Sequence, residues 1–241
     1  MHAFRLWKSL LIYRGRPWLW KRKKSFFARW VGQDSLCFDI GAHVGDRTST
    51  WLALGARVVS LEPDPQYYAY LSRKLGNDPS WVGLPQALAA EEGHATLFQS
   101  KRNGMVSSLS SSWDAEIDAI DAQGFRFDEQ TDVATIRLDA LIERYGMPDF
   151  MKLDIEGMER TVLETASKLP GALSFEYYPT RQEDAQRCIE AIEAQGTCRY
   201  QFVSRETFTF AWSSWLSAAE AILRIQATSQ AIAGDVYAER I

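Results

Sequence analysis

The sequence predicts an α/β fold, a mostly parallel sheet with helices on both faces, and three observations carry that reading. From Leu36 onward, short apolar runs alternate with amphipathic stretches, the signature of repeated βαβ units. The glycine-containing run Asp39-Ile40-Gly41-Ala42-His43-Val44-Gly45-Asp46 follows the first apolar run and opens the first amphipathic stretch. Parallel α/β sheets bind their ligands at such loops. At 241 residues, 46% hydrophobic and 24% charged, the chain can bury one sizeable core.

Taken in order, residues 1–33 form a leader in which Trp7, Trp18, Trp20, Phe26, Phe27 and Trp30 stand among nine basic residues and no acid, with Pro17 separating two predicted helices. The expectation is a helical cap that packs its aromatics on the domain. Contact with a membrane surface or a partner through residues 1–30 is the alternative. The domain proper is expected over 34–241. Its strands are predicted near 36–40, 57–62, 80–84, 149–154, 171–177 and 198–203, and its helices near 45–54, 65–76, 156–168 and 183–195. Between the third and fourth of these strands lies segment 91–148, with strand-like runs at His94–Gln99 and Val133–Leu138. The polar stretch between those runs, near 101–130, contains SSLSSS and several acids and reads as a lid-like insertion over a substrate, or equally as a solvated surface loop. Trp212 to Ile225 is predicted as an apolar helix packed on the sheet.

Charge and cysteine usage narrow the function classes. The formal charge is −4, but outside the leader 18 basic residues face 31 acids, which argues against a nucleic-acid-binding surface on the body. Cys37, Cys188 and Cys198 match no zinc or redox spacing and read as reduced core residues of a cytoplasmic protein. The longest early apolar run, Leu10–Ile12, is too short for a signal-peptide core or a membrane span. Any membrane association would therefore rest on the leader, and the oligomeric state is open.

The glycines of the 39–46 loop stand four apart, with His43 where the dinucleotide pattern G-x-G-x-x-G has its second glycine, so a pyrophosphate would be crowded there. Asp39 repels phosphate but suits the ammonium of an amino-acid moiety. Glu62 ends the next strand about twenty residues on, where a carboxylate takes both hydroxyls of a ribose. A ligand with a cationic amino-acid end, a ribose and no phosphate is S-adenosylmethionine.

At this point the chain resembles the FkbM family of methyltransferases. The matching residues are DIGAHVGDRT (39–48), VVSLEPDP (58–65), QALAAEEGHATLF (86–98), NGMVSSL (103–109), IRLDALIERYGMPDFMKLDIEGMERTVLETA (136–166) and LSFEYYP (173–179). The family usually carries Asn at the position of His43. The resemblance implies a Rossmann-like class I methyltransferase fold with an open seven-stranded sheet. It also implies S-adenosylmethionine as cofactor at Asp39, Gly41, Ala42, His43, Gly45, Glu62, Pro63 and Asp154, and O-methylation as the commonest chemistry.

Methyl transfer from a sulfonium is an in-line displacement, so the protein must mainly align an acceptor and exclude water. A sugar hydroxyl is weakly acidic and gains from a carboxylate or histidine within hydrogen-bond reach. Asp154 is the first candidate for that role, Glu176 and Glu156 follow, and His43 is a fourth. Lys152 shares a strand face with Asp154, and a buried ammonium there must pair with Asp39, Asp154 or Glu176. No metal is expected, because Asp154 and Glu156 have no nearby histidine and neighbours in a D-x-E turn are expected to diverge. Tyr177 and Tyr178 end the fifth predicted strand on the acceptor side. The expected acceptor is a hydroxyl of a sugar, a glycan precursor or a related small metabolite. N-methylation or natural-product methylation is an alternative, and so is a non-catalytic Rossmann-like module that binds a nucleotide or partner.

Overall fold

A computed structural model describes residues 6–7, 9–10, 17–100, 107–109, 128–227 and 233–241. The strands are β1 (Leu36–Ile40), β2 (Arg57–Leu61), β3 (Trp81–Leu84), β4 (Gln86–Leu88), β5 (Gly93–Gln99) and β6 (Ser107–Ser108). They continue with β7 (Glu129–Ile136), β8 (Phe150–Leu153), β9 (Ala172–Tyr177), β10 (Cys198–Ser204) and β11 (Gly234–Arg240). The helices are α1 (Pro17–Phe27), α2 (Asp46–Leu52), α3 (Pro65–Leu75), α4 (Leu138–Tyr145), α5 (Glu159–Thr165), α6 (Gln182–Glu193) and α7 (Ala218–Ala227).

Seven strands make the main sheet in the order β10-β11-β9-β8-β1-β2-β3, with β11 antiparallel to both its neighbours. Strand alternation divides the core into two layers. Phe38, Ile40, Met151, Leu153, Leu173 and Phe175 face one side, where α4, α5, α6 and α7 cover them. Cys37, Val58, Phe150 and Tyr237 face the other, against α1 and Trp51 of α2. Toward the carboxyl ends of the strands this second face turns polar, with Asp39 in register with Ser60 and Lys152, and Glu176 in register with Asp235. All three cysteines are buried and unpaired.

The leader divides its aromatics. Phe26, Phe27 and Val31 are buried in the second layer, and Trp30 stacks on Tyr237 with ring centroids 5.4 Å apart. Burial of one such phenylalanine contributes on the order of 2–3 kcal/mol. Trp7, Trp18 and Trp20 remain exposed.

Three elements depart from expectation. Strand β11 was not foreseen, because Val236-Tyr237-Ala238 is only a short apolar run between acids. The helix predicted from Trp212 begins only at Ala218: Ser217 and Glu220 form a capping box, the Ser217 amide donating to Glu220 Oε2 at 2.9 Å, while residues 211–214 bend and Leu216 bridges Tyr200. The helix predicted from residue 156 begins at Glu159, whose carboxylate instead accepts from the amides of Ile155 and Gly157, both at 2.9 Å. The strand-like runs of segment 91–148 become a second sheet, ordered β4-β7-β5-β6, in which the polar residues Glu129–Asp132 extend β7 by pairing with β5. Most of the expected lid, residues 101–106 and 110–127, lies outside the described residues.

Candidate active site

Strand β1 lies between β2 and β8, so the chain order reverses at its carboxyl end, and a crevice opens there. A cavity of about 290 Å³ occupies it. Gly41 and His43 come from the loop after β1, Glu62 and Pro63 from the end of β2, Asp154 and Glu156 from the loop after β8. Lys152, Glu176, Tyr178 and Asp235 close the floor and far wall.

The loop after β1 lies directly on the end of β8. Gly41 has φ 81°, and a Cβ there would stand 1.9 Å from the Asp154 carbonyl oxygen, so only glycine fits. His43 has φ 52°, a left-handed conformation that Asn and His tolerate better than most residues. Its amide donates to Glu62 Oε2 at 2.6 Å. Its ring packs on Tyr67 with centroids 4.2 Å apart, and Nε2 lies 3.2 Å from Ser9 Oγ. Ala42 and Gly45 are not among the cavity-lining residues. Ala42 packs on Leu71 and Leu75 of α3, and Gly45, at φ 69°, leaves room for Leu71 at the start of α2.

Asp39 lies beneath the start of α2. Its side chain is not in the cavity wall and does not pair with Lys152; Oδ2 accepts from the Thr48 amide at 2.9 Å and from the Thr48 hydroxyl. The first turn of α2 offers unpaired amides to whatever acid lies beneath it, and Asp39 is that acid. These bonds brace the loop against the start of α2. Burial raises its pKa, although Thr48, Arg47 and Lys152 oppose the shift.

Glu62 is 6% exposed and sits at the cavity edge, its second oxygen accepting from the Asp64 amide at 2.9 Å. Burial, with the Asp64 charge adding, pushes its pKa up to about 8 against the pull of the two amides. Lys152 is 2% exposed and donates to Asp154 Oδ2 at 2.8 Å and Asp235 Oδ1 at 3.1 Å. Asp154 was an anticipated partner. Asp235 was not, because it rides on the unforeseen strand β11.

The acids after β8 do not diverge, contrary to expectation. Glu156 at φ 52° and Gly157 at φ 97° fold the chain back. Carboxylate oxygens of Asp154, Glu156 and Glu176 consequently lie within 4.8 Å of one another, and the Tyr178 hydroxyl donates to Glu156 Oε2 at 3.0 Å. Burial works against the charge of Asp154, but the Lys152 ammonium, together with the Glu176 hydrogen bond and the Arg47 charge, holds that carboxyl below its usual range. Burial, then the charges of Asp154 and Glu159, drives Glu156 well upward; burial, then Asp154 and Glu156, does the same to Glu176. Glu176 Oε2 is buried with no hydrogen-bond partner. The result is one ionised carboxylate beside two that favour their protons, a set that can orient a hydroxyl and accept its proton. The same oxygens can hold a divalent cation, in competition with Lys152 for Asp154.

Further residues reach this site without having been singled out by sequence. Ser108, in the serine cluster, donates to the Glu156 carbonyl at 2.7 Å, and Leu109 beside it lines the cavity. Arg47 of α2 bridges Asp46 at 2.9 Å and Glu206 at 2.7 Å, and Arg205 and Glu206 complete the rim.

A doubly wound sheet with its cavity at this crevice and a non-dinucleotide glycine loop defines a class I methyltransferase dependent on S-adenosylmethionine. The family model of the methyltransferase FkbM domain matches residues 39–209, well over half of the sequence, and the chain belongs to that family. No curated protein sequence matches. Among solved structures, precorrin-6y C5,15-methyltransferase from Geobacter metallireducens aligns with a TM-score of 0.47 and 11% identity, over 90% of this chain and 88% of that one. Fibrillarin from Aeropyrum pernix, in complex with natively bound S-adenosyl-L-methionine, aligns at 0.47 and 12% identity over 86% and 67%. An rRNA methylase from Streptococcus thermophilus aligns at 0.44 and 11% identity over 90% and 93%. The cavity residues fit the cofactor: the Gly41 approach leaves a backbone cradle, and the Glu62 carboxylate stands at its edge.

Proposed function

We propose that the protein methylates a hydroxyl oxygen of a sugar, a glycan precursor or a related polar metabolite. The observation that carries this reading is the convergence of Asp154, Glu156 and Glu176 within 4.8 Å, with one Glu176 oxygen buried and unpartnered. A buried polar atom without a partner costs about 1–3 kcal/mol until a ligand supplies one. Hydroxyl-rich acceptors supply several.

S-adenosylmethionine, when bound, supplies the activated methyl group. Glu62 holds the ribose hydroxyls, and the loop at Gly41 and His43 shapes the cradle. Asp154 orients the acceptor hydroxyl and takes its proton as the oxygen attacks. Lys152 and Asp235 are positioning residues, because they keep Asp154 ionised and fixed. Tyr178 fixes Glu156 beside it.

The test is transfer of labelled methyl from S-adenosylmethionine into small-molecule and glycan fractions of a strain lacking the gene, followed by mass spectrometry and linkage analysis of the product. A base-stable methyl ether on a hydroxylated product supports the reading. Label confined to amines, which an acidic pocket also attracts, replaces it with N-methylation. No transfer to any fraction, with cofactor binding intact, removes the hydroxyl assignment.

A further inference from the structure

We infer that Arg205 selects an acceptor that carries an anionic group, a carboxylate or a phosphate, beside the hydroxyl to be methylated. This rests on the hydroxyl acceptor proposed above and narrows its class. Among the described residues the cavity is lined by one lysine, Lys152, and one arginine, Arg205. Lys152 is committed to Asp154 and Asp235. Arg205 is exposed, and its guanidinium has no hydrogen-bond, ion-pair or ring partner among the described residues.

The turn after β10 is built to hold Arg205 where it is. Its φ of 49° is left-handed, a conformation that a long side chain rarely adopts, and Phe208 shares it. Such backbone persists only where the surroundings fix it, and it gathers at binding sites. Here they do fix it. The Arg205 amide donates to the Ala233 carbonyl at 3.0 Å. Glu206 accepts from Arg47 Nη2 at 2.7 Å, and Phe208 is buried with its ring centroid 4.9 Å from the same guanidinium. Arg47 is itself buried and tied to Asp46. Glu206 and Phe208 are thus spent on anchoring the turn, and Arg205 is the charge that it leaves for a ligand.

Position separates this charge from the cofactor. Glu62 ends β2 and Arg205 follows β10, five strand positions away, on the order of 24 Å at strand spacing. With the ribose on Glu62 and the methyl facing Asp154 after β8, the end of the cavity over β9, β11 and β10 falls to the acceptor. A guanidinium meets a carboxylate or a phosphate with two parallel hydrogen bonds, a geometry that a neutral hydroxyl cannot reproduce. The cofactor also brings a net positive charge, its sulfonium and ammonium outnumbering its carboxylate, which favours an anion alongside.

The full chain, saturated with S-adenosylhomocysteine, is titrated with glucuronate, glucose 6-phosphate and neutral methyl glucoside, and binding is followed by ligand-observed NMR. One anionic sugar is expected to bind about tenfold or more tighter than the neutral one, and which of the two does so identifies the anion. The preference should vanish in Arg205→Ala, survive in part in Arg205→Lys and weaken with salt. Melting and S-adenosylhomocysteine affinity should stay at wild-type values, because the side chain is exposed and far from the ribose. In the labelled-methyl assay the product is expected to be retained on an anion-exchange column, and Arg205→Ala to raise KM for its acceptor about tenfold with kcat little changed. Equal binding of the three sugars, or a preference that Arg205→Ala keeps, overturns the inference. A methyl ether on a neutral product overturns it and leaves the hydroxyl reading standing, whereas label confined to amines overturns both.

Discussion

A proton released on cofactor binding gives the sharpest test of Glu62. Burial pushes its pKa from 4.5 up to about 8 in the free protein. Ribose hydroxyls donating to the carboxylate restore the ionised form, so binding must expel the proton that free Glu62 holds. At pH 7 a group with that pKa is about nine-tenths protonated, which predicts roughly 0.9 proton released per cofactor, falling to about 0.1 at pH 9. The raised acid favours the complex above its free pKa, and affinity is lost, by about tenfold per unit, as pH falls below about 8. For folding the same shift has the opposite direction: without ligand, stability declines as pH rises from the unfolded value to about 8, on the order of a few kcal/mol. Glu62→Gln should abolish both effects, weaken binding by roughly 1.5–3 kcal/mol, and be more stable than the free wild type above pH 8. Calorimetry with S-adenosylhomocysteine in phosphate and in Tris, whose ionisation heats differ, counts the protons. Wild-type binding at pH 7 without proton release, together with unchanged affinity in the Gln variant, would refute the assignment.

The remaining predictions concern the floor and the loop. Asp154→Asn should leave cofactor affinity intact and lower single-turnover methyl transfer by about two to four orders of magnitude, with Glu176→Gln milder; a full-rate Asp154→Asn enzyme excludes it as the base. Asp235→Ala leaves a buried ammonium with one partner instead of two. It should cost about 3 kcal/mol, a melting point lower by roughly 6–12 °C in scanning calorimetry, and an unchanged melt would show that Lys152 does not depend on it. Gly41→Ala places a methyl on the Asp154 carbonyl and should abolish S-adenosylhomocysteine binding, whereas Gly171→Ala, with open space around it, should bind as wild type; equal binding by both would disprove the close approach.

The main parallel strands were legible because each is a short apolar run followed by a turn and an amphipathic helix, a pattern that sterics and burial enforce locally. The side-by-side order of the strands ending at Asp39, Asp154 and Glu176 followed from the resemblance and is present in the sheet. Asp235 was not legible, since its importance comes from a register between residues far apart in sequence that no local pattern encodes. The pairing of Lys152 was half legible: burial required a partner, but alternation alone did not choose between Asp39 and a residue on another strand. The bonds of Asp39 to Thr48 were not legible, because they depend on how closely the start of α2 seats on β1. The convergence of Glu156 with Asp154 hinged on one left-handed residue, for which the following Gly157 was the available signal.

The insertion of β11 between β9 and β10 also bears on the order in which the molecule comes into being. During vectorial synthesis β9 and β10 emerge from the ribosome well before residues 234–240, yet in the finished sheet they are never neighbours. Until β11 is made, the facing edges of β9 and β10 lack their hydrogen-bond partners and Lys152 lacks Asp235. Such a gap is a template for any passing strand. Cooperative closure of this half of the sheet therefore waits for late translation.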